Sequence, residues 1–130
     1  YEGPHHRDIP LNEIIRVVLK ARPQGLSFEG ANPRHAHEWI VFREVKLPDD
    51  KVIIPGVLDS TTNFIEHPEL VAQRLVRYAE VVGRERVIAG TDCGFATFGR
   101  STLLVEPEIT WAKFASMAEG ARLASAQLWR

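Results

Sequence analysis

Hydrophobic and polar positions follow a helical period near the start of the chain. Leu11, Ile14, Ile15 and Val18 recur at i, i+3, i+4 and i+7, which places them on one face of a helix. Asp8 stands before this run and is expected to cap the helix, with a proline in its first turn. The pattern therefore predicts an amphipathic helix that buries one face.

Two longer helical patterns each begin at a proline. One begins at Pro68 and ends before Gly83, and the other begins at Pro107. Proline suits the first helical position because its missing N–H has no helical partner there, and glycine suits the residue after the helix. A shorter helix is predicted from His35 to Arg43.

Three short apolar runs between the helical patterns predict strands. They cover Leu26–Glu29, Val52–Leu58 and Val87–Gly90, and they are too short and too rich in β-branched residues for helices. Pro55 lies inside the second run and favours a bulge or an early end there. Because helices separate the strands, the sheet is predicted to be parallel, with right-handed crossovers.

Each predicted strand ends on a side chain that can do chemistry. Glu29, Asp59 and Cys93 follow the three strands in steps of 30 and 34 residues. A βα unit of a (β/α)8 barrel has about that length, because eight units fill roughly 250 residues. The expected fold class is therefore α/β, with residues 1–130 forming one domain from the C-terminal part of a TIM barrel. Three strands cannot close a barrel, so copies of the chain or the rest of the barrel are expected to cover the open sheet.

Composition excludes several functional classes. The net charge is −1 and the 16 basic residues are scattered, so a nucleic-acid partner is not expected. The longest apolar run, V-I-I-P-G-V-L, is far shorter than the ~20 residues that span a bilayer, and no signal-peptide pattern opens the sequence. A single cysteine fits a reducing compartment, so a cytoplasmic protein is expected. The first residue is Tyr1 rather than Met, so we interpret the chain as a piece of a longer protein.

The residues at the strand ends suggest a metal site. Glu29 and Cys93 are ordinary zinc ligands, and a catalytic zinc site needs three protein ligands. His35 and His37 form an H-x-H pair and are alternative ligands or simple loop residues. Asp59, like the aspartate before Cys93, is expected to organise a loop or to position a substrate amine. Cys93 itself has the alternative interpretation of a small buried hydrophobic residue.

Several motifs together resemble the closing βα units of the cobalamin-independent methionine synthase superfamily, especially its shorter members. The resemblance covers essentially the whole chain, and its motifs are specific only in combination. They are V-I-A-G-T-D-C-G at 87–94, I-P-G-V-L-D at 54–59, F-E at 28–29, Y-E-G-P at 1–4, N-P-R-H at 32–35 and E-H-P-E at 66–69.

The resemblance implies a zinc enzyme that acts on thiols. Members of this superfamily hold zinc in a (β/α)8 barrel with an H-x-C pair, a glutamate and a late cysteine. The zinc activates a homocysteine-type thiol for methyl transfer from a methylfolate. On this resemblance Glu29 and Cys93 are zinc ligands, Asp59 matches an acid at a strand end, and the H-x-C pair would precede Tyr1. The implied partner is a small-molecule thiol.

Two departures from the family pattern leave the donor open. The synthases carry a histidine in the stretch after the acid that Asp59 matches, whereas this chain continues S-T-T-N. They also carry basic residues after the late cysteine, whereas this chain continues G-F-A-T-F. The alternatives are therefore a zinc-dependent thiol alkyltransferase of the epoxyalkane–coenzyme M transferase type, or a catalytically incomplete barrel fragment.

Overall fold

The computed structural model describes residues 6–95 and 105–130. The Y-E-G-P motif, His5 and most of the loop predicted after Cys93 lie outside these residues. Within the described ranges the sheet has three strands, β1 (Gly25–Phe28), β2 (Val52–Leu58) and β3 (Gly90–Thr91). They lie in the order β1-β2-β3, and both pairs are parallel. The predicted parallel sheet is confirmed.

Helices separate the strands in the predicted order. They are α1 (Leu11–Val18), α2 (Pro68–Val82) and α3 (Pro107–Leu128), with 3-10 helices at Glu38–Arg43 and Arg84–Arg86. The two longer helices begin at the predicted prolines. Of the helices in the described part of the chain, none is both long enough and apolar enough to cross a membrane.

The ends of α2 follow from local sequence. His67 occupies the N-cap, and its Nδ1 accepts the backbone N–H of Glu69 at 3.2 Å. Gly83 ends the helix with φ +100°, a conformation that favours glycine because other residues place a Cβ in conflict there. Both ends therefore lie where the sequence predicted them.

The prediction of Asp8 as the cap of α1 is wrong. Pro10 occupies the N-cap and provides no side-chain hydrogen bond. Instead, Oε1 of the buried Glu38 accepts the N–H of Leu11 at 2.7 Å. A carboxylate brought from 27 residues away replaces the local cap, and sequence spacing could not indicate it.

Two other predicted elements are shorter than expected. The helix predicted from residue 35 is a 3-10 helix that begins at Glu38, because turns centred on Asn32 occupy the preceding residues. The strand predicted over 87–90 makes one isolated bridge at Val87 before β3 begins at Gly90. The gap lies beside Pro55, which has no N–H to donate, and a register shift follows it in β2. The irregularity predicted from this proline is thus present, although β2 does not end early.

Among the described residues, the core consists of two apolar clusters, and α2 contributes side chains to both. One contains Leu11, Ile15, Phe42, Val45, Leu47, Ile53 and Tyr78. The other joins β2 and α2 to α3 through Val57, Leu58, Val71, Ala72, Leu75, Val76 and Ala124. A Cβ at Gly120 would lie 2.5 Å from the side chain of Val71, so glycine permits α2 and α3 to pack this closely.

Candidate thiol and metal site

The site lies where the three parallel strands end. Glu29 directly follows β1, Asp59 directly follows β2, and Cys93 lies two residues beyond β3. Because the strands are parallel, all three residues leave the sheet at its C-terminal edge, as predicted. In α/β folds this edge is where catalytic residues gather.

Cys93 and Glu29 are in direct contact across the sheet. The Sγ atom of Cys93 donates a hydrogen bond to Oε1 of Glu29 at 3.3 Å, although 64 residues separate them in sequence. Cys93 is exposed and Glu29 is half-buried. The interpretation of Cys93 as a small buried hydrophobic residue is therefore wrong, and the thiol is accessible to a ligand.

The surroundings of Cys93 keep its thiol protonated. Partial burial raises the pKa of Cys93, and the hydrogen bond to Glu29 and the charges of Glu29 and Asp92 raise it further. All of these effects disfavour a negative sulfur. The thiolate is consequently scarce at neutral pH unless a cation enters beside Cys93 and Glu29.

Asp92 anchors the loop that follows β1. Its Oδ1 accepts the N–H groups of Gly30 and Ala31, each at 2.8 Å. Its Oδ2 accepts the N–H of Asn32 at 2.8 Å and Nδ2 of Asn32 at 2.9 Å. Burial raises the pKa of Asp92, whereas these hydrogen bonds lower it. Of the two predicted roles for this aspartate, the structure supports that of a loop organiser.

Gly56 provides the space that Asp92 occupies. A Cβ on Gly56 would lie 2.0 Å from Oδ1 of Asp92 and 2.8 Å from its backbone. Arg74 of α2 fastens the same region, because it donates to the carbonyl oxygens of Val57 and Ala31 at 2.9 and 3.1 Å. The exits of all three strands are therefore tied together behind the Glu29–Cys93 pair.

The other oxygen of Glu29 faces Asn32 and His35. Nδ2 of Asn32 donates to Oε2 of Glu29 at 2.9 Å, and Nε2 of His35 lies 3.6 Å from the same oxygen. Nδ1 of His35 is 2.7 Å from Oε2 of Glu38. His37 is exposed. Of the predicted H-x-H pair, the structure thus brings His35 to Glu29.

Asp59 is held by a separate set of contacts. Its Oδ1 accepts both the N–H and the hydroxyl of Thr61 at 2.8 Å. Its backbone N–H donates to Oε1 of Glu66 at 2.7 Å, and its carbonyl accepts Nζ of Lys113 at 3.0 Å. Lys113 is fully buried and pairs with Oε2 of Glu66 at 2.8 Å. The predicted role of Asp59 in substrate positioning stays a prediction.

Sequence reasoning missed Asn32 and Lys113 as parts of this region. Asn32 belongs to the N-P-R-H motif, and this motif could have indicated its role. An asparagine side chain both donates and accepts hydrogen bonds, so it suits a loop rich in unpaired backbone groups. Lys113 lies within an otherwise ordinary helical pattern. Only the tertiary structure shows that it reaches back to the end of β2.

The side chains of Cys93 and Glu29 are of types that bind zinc, but two ligands do not complete a zinc site. A thiol sulfur and a carboxylate oxygen at 3.3 Å can converge on one ion. Within residues 6–95 and 105–130, no group of three or more His, Cys, Asp or Glu side chains is arranged to hold a metal. The described residues thus supply two zinc-type donors, and the remaining ligands would have to come from elsewhere.

The chain is similar to known proteins in both sequence and structure. No protein-family model matches it. It is 30% identical over 117 residues to 2-hydroxypropyl-CoM lyase from Xanthobacter autotrophicus, a match that covers 88% of this chain and 29% of the lyase. Its structure matches a B12-independent methionine synthase from a Shewanella species, solved with selenomethionine, with a TM-score of 0.71 and 20% identity. This match covers 90% of the chain and 31% of the synthase.

Both similarities extend over nearly all of this chain and over about three tenths of each larger protein. The order of helices and strands and the parallel sheet agree with the structural match. The resemblance that the motifs predicted is therefore confirmed, and the chain has the fold of one part of a cobalamin-independent methionine synthase barrel.

Proposed function

We propose that this chain carries half of a zinc site that activates a small thiol for S-methylation or S-alkylation. The contact between Cys93 and Glu29, 3.3 Å apart at the edge where the strands end, is the observation that carries this proposal. The two side chains come from different βα units, so folding alone brings them together. The chemistry of these two donors, a sulfur and an oxygen, is that of zinc ligands.

The residues of the chain would divide the work as follows. Cys93 and Glu29 would hold the metal, and the negative charges of Glu29 and Asp92 would favour a cation there. When bound, zinc would supply a Lewis acid that keeps a thiol ionised at neutral pH. The substrate sulfur would then form a bond to carbon, while the bond from that carbon to its donor breaks and the donor keeps the electron pair.

Two reactions fit this chemistry. The structural likeness to a methionine synthase supports methyl transfer to a homocysteine-type thiol. The sequence similarity to 2-hydroxypropyl-CoM lyase supports the alternative, in which a thiol such as coenzyme M is joined to an epoxide or another small electrophile. The stretch S-T-T-N after Asp59, where the synthases carry a histidine, weakens the case for a methylfolate donor and so counts against the first reaction.

The decisive test measures metal in the complete product of the gene. Bound zinc would be measured in the wild type and in Cys93→Ser, Glu29→Gln and His37→Ala. We expect about one zinc per chain in the wild type and in His37→Ala, because His37 is exposed and outside the pair. Both ligand variants should lose most of it. Unchanged zinc in Cys93→Ser would show that Cys93 is not a ligand.

Substrate assays would then separate the two reactions. The complete protein would be given homocysteine with a methylfolate, and separately coenzyme M with an epoxide. Product in one assay and its loss in Cys93→Ser would identify the reaction. Zinc-free protein that is inactive in both would support the third possibility, a catalytically incomplete barrel fragment.

We also propose a cytoplasmic location, and either self-association or contact with the rest of a barrel.

A further inference from the structure

The carboxamide of Asn32 has every polar atom engaged. Its Oδ1 accepts the backbone N–H groups of Arg34 at 3.0 Å and His35 at 3.2 Å. Its Nδ2 donates to Oε2 of Glu29 and to Oδ2 of Asp92, each at 2.9 Å. Two backbone donors face Oδ1 and two carboxylate oxygens face Nδ2. The opposite orientation of the amide would place donor against donor and acceptor against acceptor, so the orientation is fixed.

The backbone of Asn32 is fixed as firmly as its side chain. Its N–H donates to Oδ2 of Asp92, and its carbonyl accepts the N–H groups of His35 at 3.1 Å and Ala36 at 2.9 Å. Asp92 immediately precedes Cys93. Asn32 is therefore a rigid link from the exit of β3 to the carboxylate that follows β1.

This link decides which way Glu29 faces. Glu29 is half-buried, and without the hydrogen bond from Asn32 its long side chain would populate several rotamers. With Oε2 held by Asn32, Oε1 is directed at Sγ of Cys93. His35 also lies near Oε2, but at 3.6 Å it is beyond hydrogen-bond distance.

We propose that Asn32 is a positioning residue that aims the carboxylate of Glu29 at Cys93. It acts through Glu29 and does not itself touch the substrate or the metal. Its value for zinc binding rests on the proposed function, because partners of this kind orient metal ligands before the ion arrives. The geometry that it enforces exists without metal, so it can be tested in metal-free protein.

The test follows Cys93 in the complete product of the gene, by mass spectrometry of the peptide that contains it. The rate of its alkylation by iodoacetamide would be measured as a function of pH, in the presence of a chelator. The variant is Asn32→Ser, whose hydroxyl can still accept the turn N–H groups but cannot reach Glu29. The matched control is Asn12→Ser, an exposed position on α1.

We expect Asn32→Ser to raise the alkylation rate near pH 8 by about threefold, since a carboxylate no longer held beside the thiol stops suppressing its ionisation. Glu29→Gln should give a similar increase, and Asn12→Ser should give none. In the Glu29→Gln background, Asn32→Ser should change the rate by less than about 1.5-fold, because the group through which it acts is already neutral.

Two outcomes would overturn the proposal. One is an unchanged profile in folded Asn32→Ser, and the other is an effect that persists undiminished in the Glu29→Gln background.

Circular dichroism would establish that each variant is folded. If Asn32→Ser does not fold, the side-chain amide of Asn32 would be followed by NMR in the wild type, Glu29→Gln and Asn12→Ser. We expect its signals to shift in Glu29→Gln alone, and unshifted signals would contradict the link. Because no metal is used, a failure here is distinct from a failure of the zinc proposal.

Discussion

At the scale of single residues, this site depends on a few close approaches. Asp92 fills the space above Gly56 and binds three successive N–H groups of the loop after β1. An acid that satisfies several backbone donors at once leaves little freedom to the residues around it. Glu29 lies directly before that loop and Cys93 lies directly after Asp92. The backbone of both candidate ligands is therefore held in place by the contacts of Asp92.

The variant Gly56→Ala tests the close approach. Its new Cβ would lie 2.0 Å from Oδ1 of Asp92, so the aspartate must move and release the loop. We expect the free energy of unfolding to fall by roughly 1–3 kcal/mol or more, as for other overpacked sites. Gly94→Ala is the control, because no atom of the described residues lies within 4 Å of the position that its new Cβ would take. Equal stability of the two variants in urea titrations of the complete gene product would contradict this explanation.

The pH dependence of Cys93 follows from its raised pKa. Burial and the adjacent Glu29 make the folded chain hold the thiol proton more tightly than the unfolded chain does. The contribution of this group to stability is therefore present below the unfolded pKa of ~8.5 and is lost as the pH rises through the folded value. Urea titrations of the complete gene product at pH 7 and pH 10 should show a smaller effect of pH on stability in Cys93→Ser than in the wild type. An identical pH effect in both would contradict the raised pKa.

At the scale of elements, α3 is tied to the end of β2 by a buried charge. Lys113 lies on α3 and is fully buried, and it bonds both the carbonyl of Asp59 and the carboxylate of Glu66. Ser116 of the same helix donates to the carbonyl of Glu66. Glu66 in turn accepts the N–H of Asp59. The helix thus fixes the loop that follows β2, on which Asp59 is displayed.

Removing this cation should be costly. In Lys113→Met the carboxylate of Glu66, which is 9% exposed, loses its counter-ion. Removing one partner of a buried ion pair costs roughly 3–5 kcal/mol, so a loss of stability of that order is expected in thermal or urea unfolding of the complete gene product. The control Lys46→Met changes an exposed lysine and should be nearly neutral. The double variant Lys113→Met/Glu66→Gln should recover part of the loss, and an additive loss would contradict the pairing.

At the scale of the whole molecule, both edges of the sheet are unpaired among the residues that the structure describes. Strands β1 and β3 each pair only with β2 within the part of the chain that the structure describes. Large apolar side chains are also exposed there, among them Phe64 at 81%, Trp111 at 72% and Val17 at 70%. Parallel sheets are usually covered on both faces and closed or protected at their edges. The chain alone therefore presents surfaces that favour association.

We expect the isolated 130-residue chain not to be a stable monomer. The unpaired edges and exposed apolar groups should make it associate, or unfold without a cooperative transition. Sedimentation velocity at several concentrations, together with urea unfolding, would measure this. A compact monomer that unfolds cooperatively at every concentration would show that three strands suffice.

Zinc should bind weakly or not at all to this isolated chain. The described residues supply two donors, whereas zinc sites use three or four. Each ligand below that number removes part of a binding free energy that is on the order of 10–16 kcal/mol for complete structural sites. Titration with a zinc indicator would measure the affinity, with Cys93→Ser as the matched control. Stoichiometric, tight binding that disappears in Cys93→Ser would show that the site is complete in this chain.

The sequence alone determined the elements and their order. Prolines at Pro68 and Pro107, glycine at Gly83 and the β-branched run of β2 are local signals, because each acts on the backbone at its own position. Alternation of strands and helices then required a parallel sheet, and a parallel sheet brings residues 29, 59 and 93 to one edge. The resemblance of the motifs to a known barrel was also visible in the sequence.

Tertiary structure alone decided how the side chains at that edge meet. Glu38 caps α1 from 27 residues away, Asp92 binds a loop more than 60 residues before it, and Lys113 reaches Asp59 from another helix. These contacts depend on the register of strands and on the space left by Gly56, neither of which has a local signature. The periodicity of a sequence reports which face of an element is buried, but the pairing of polar groups across elements is fixed only when the elements pack.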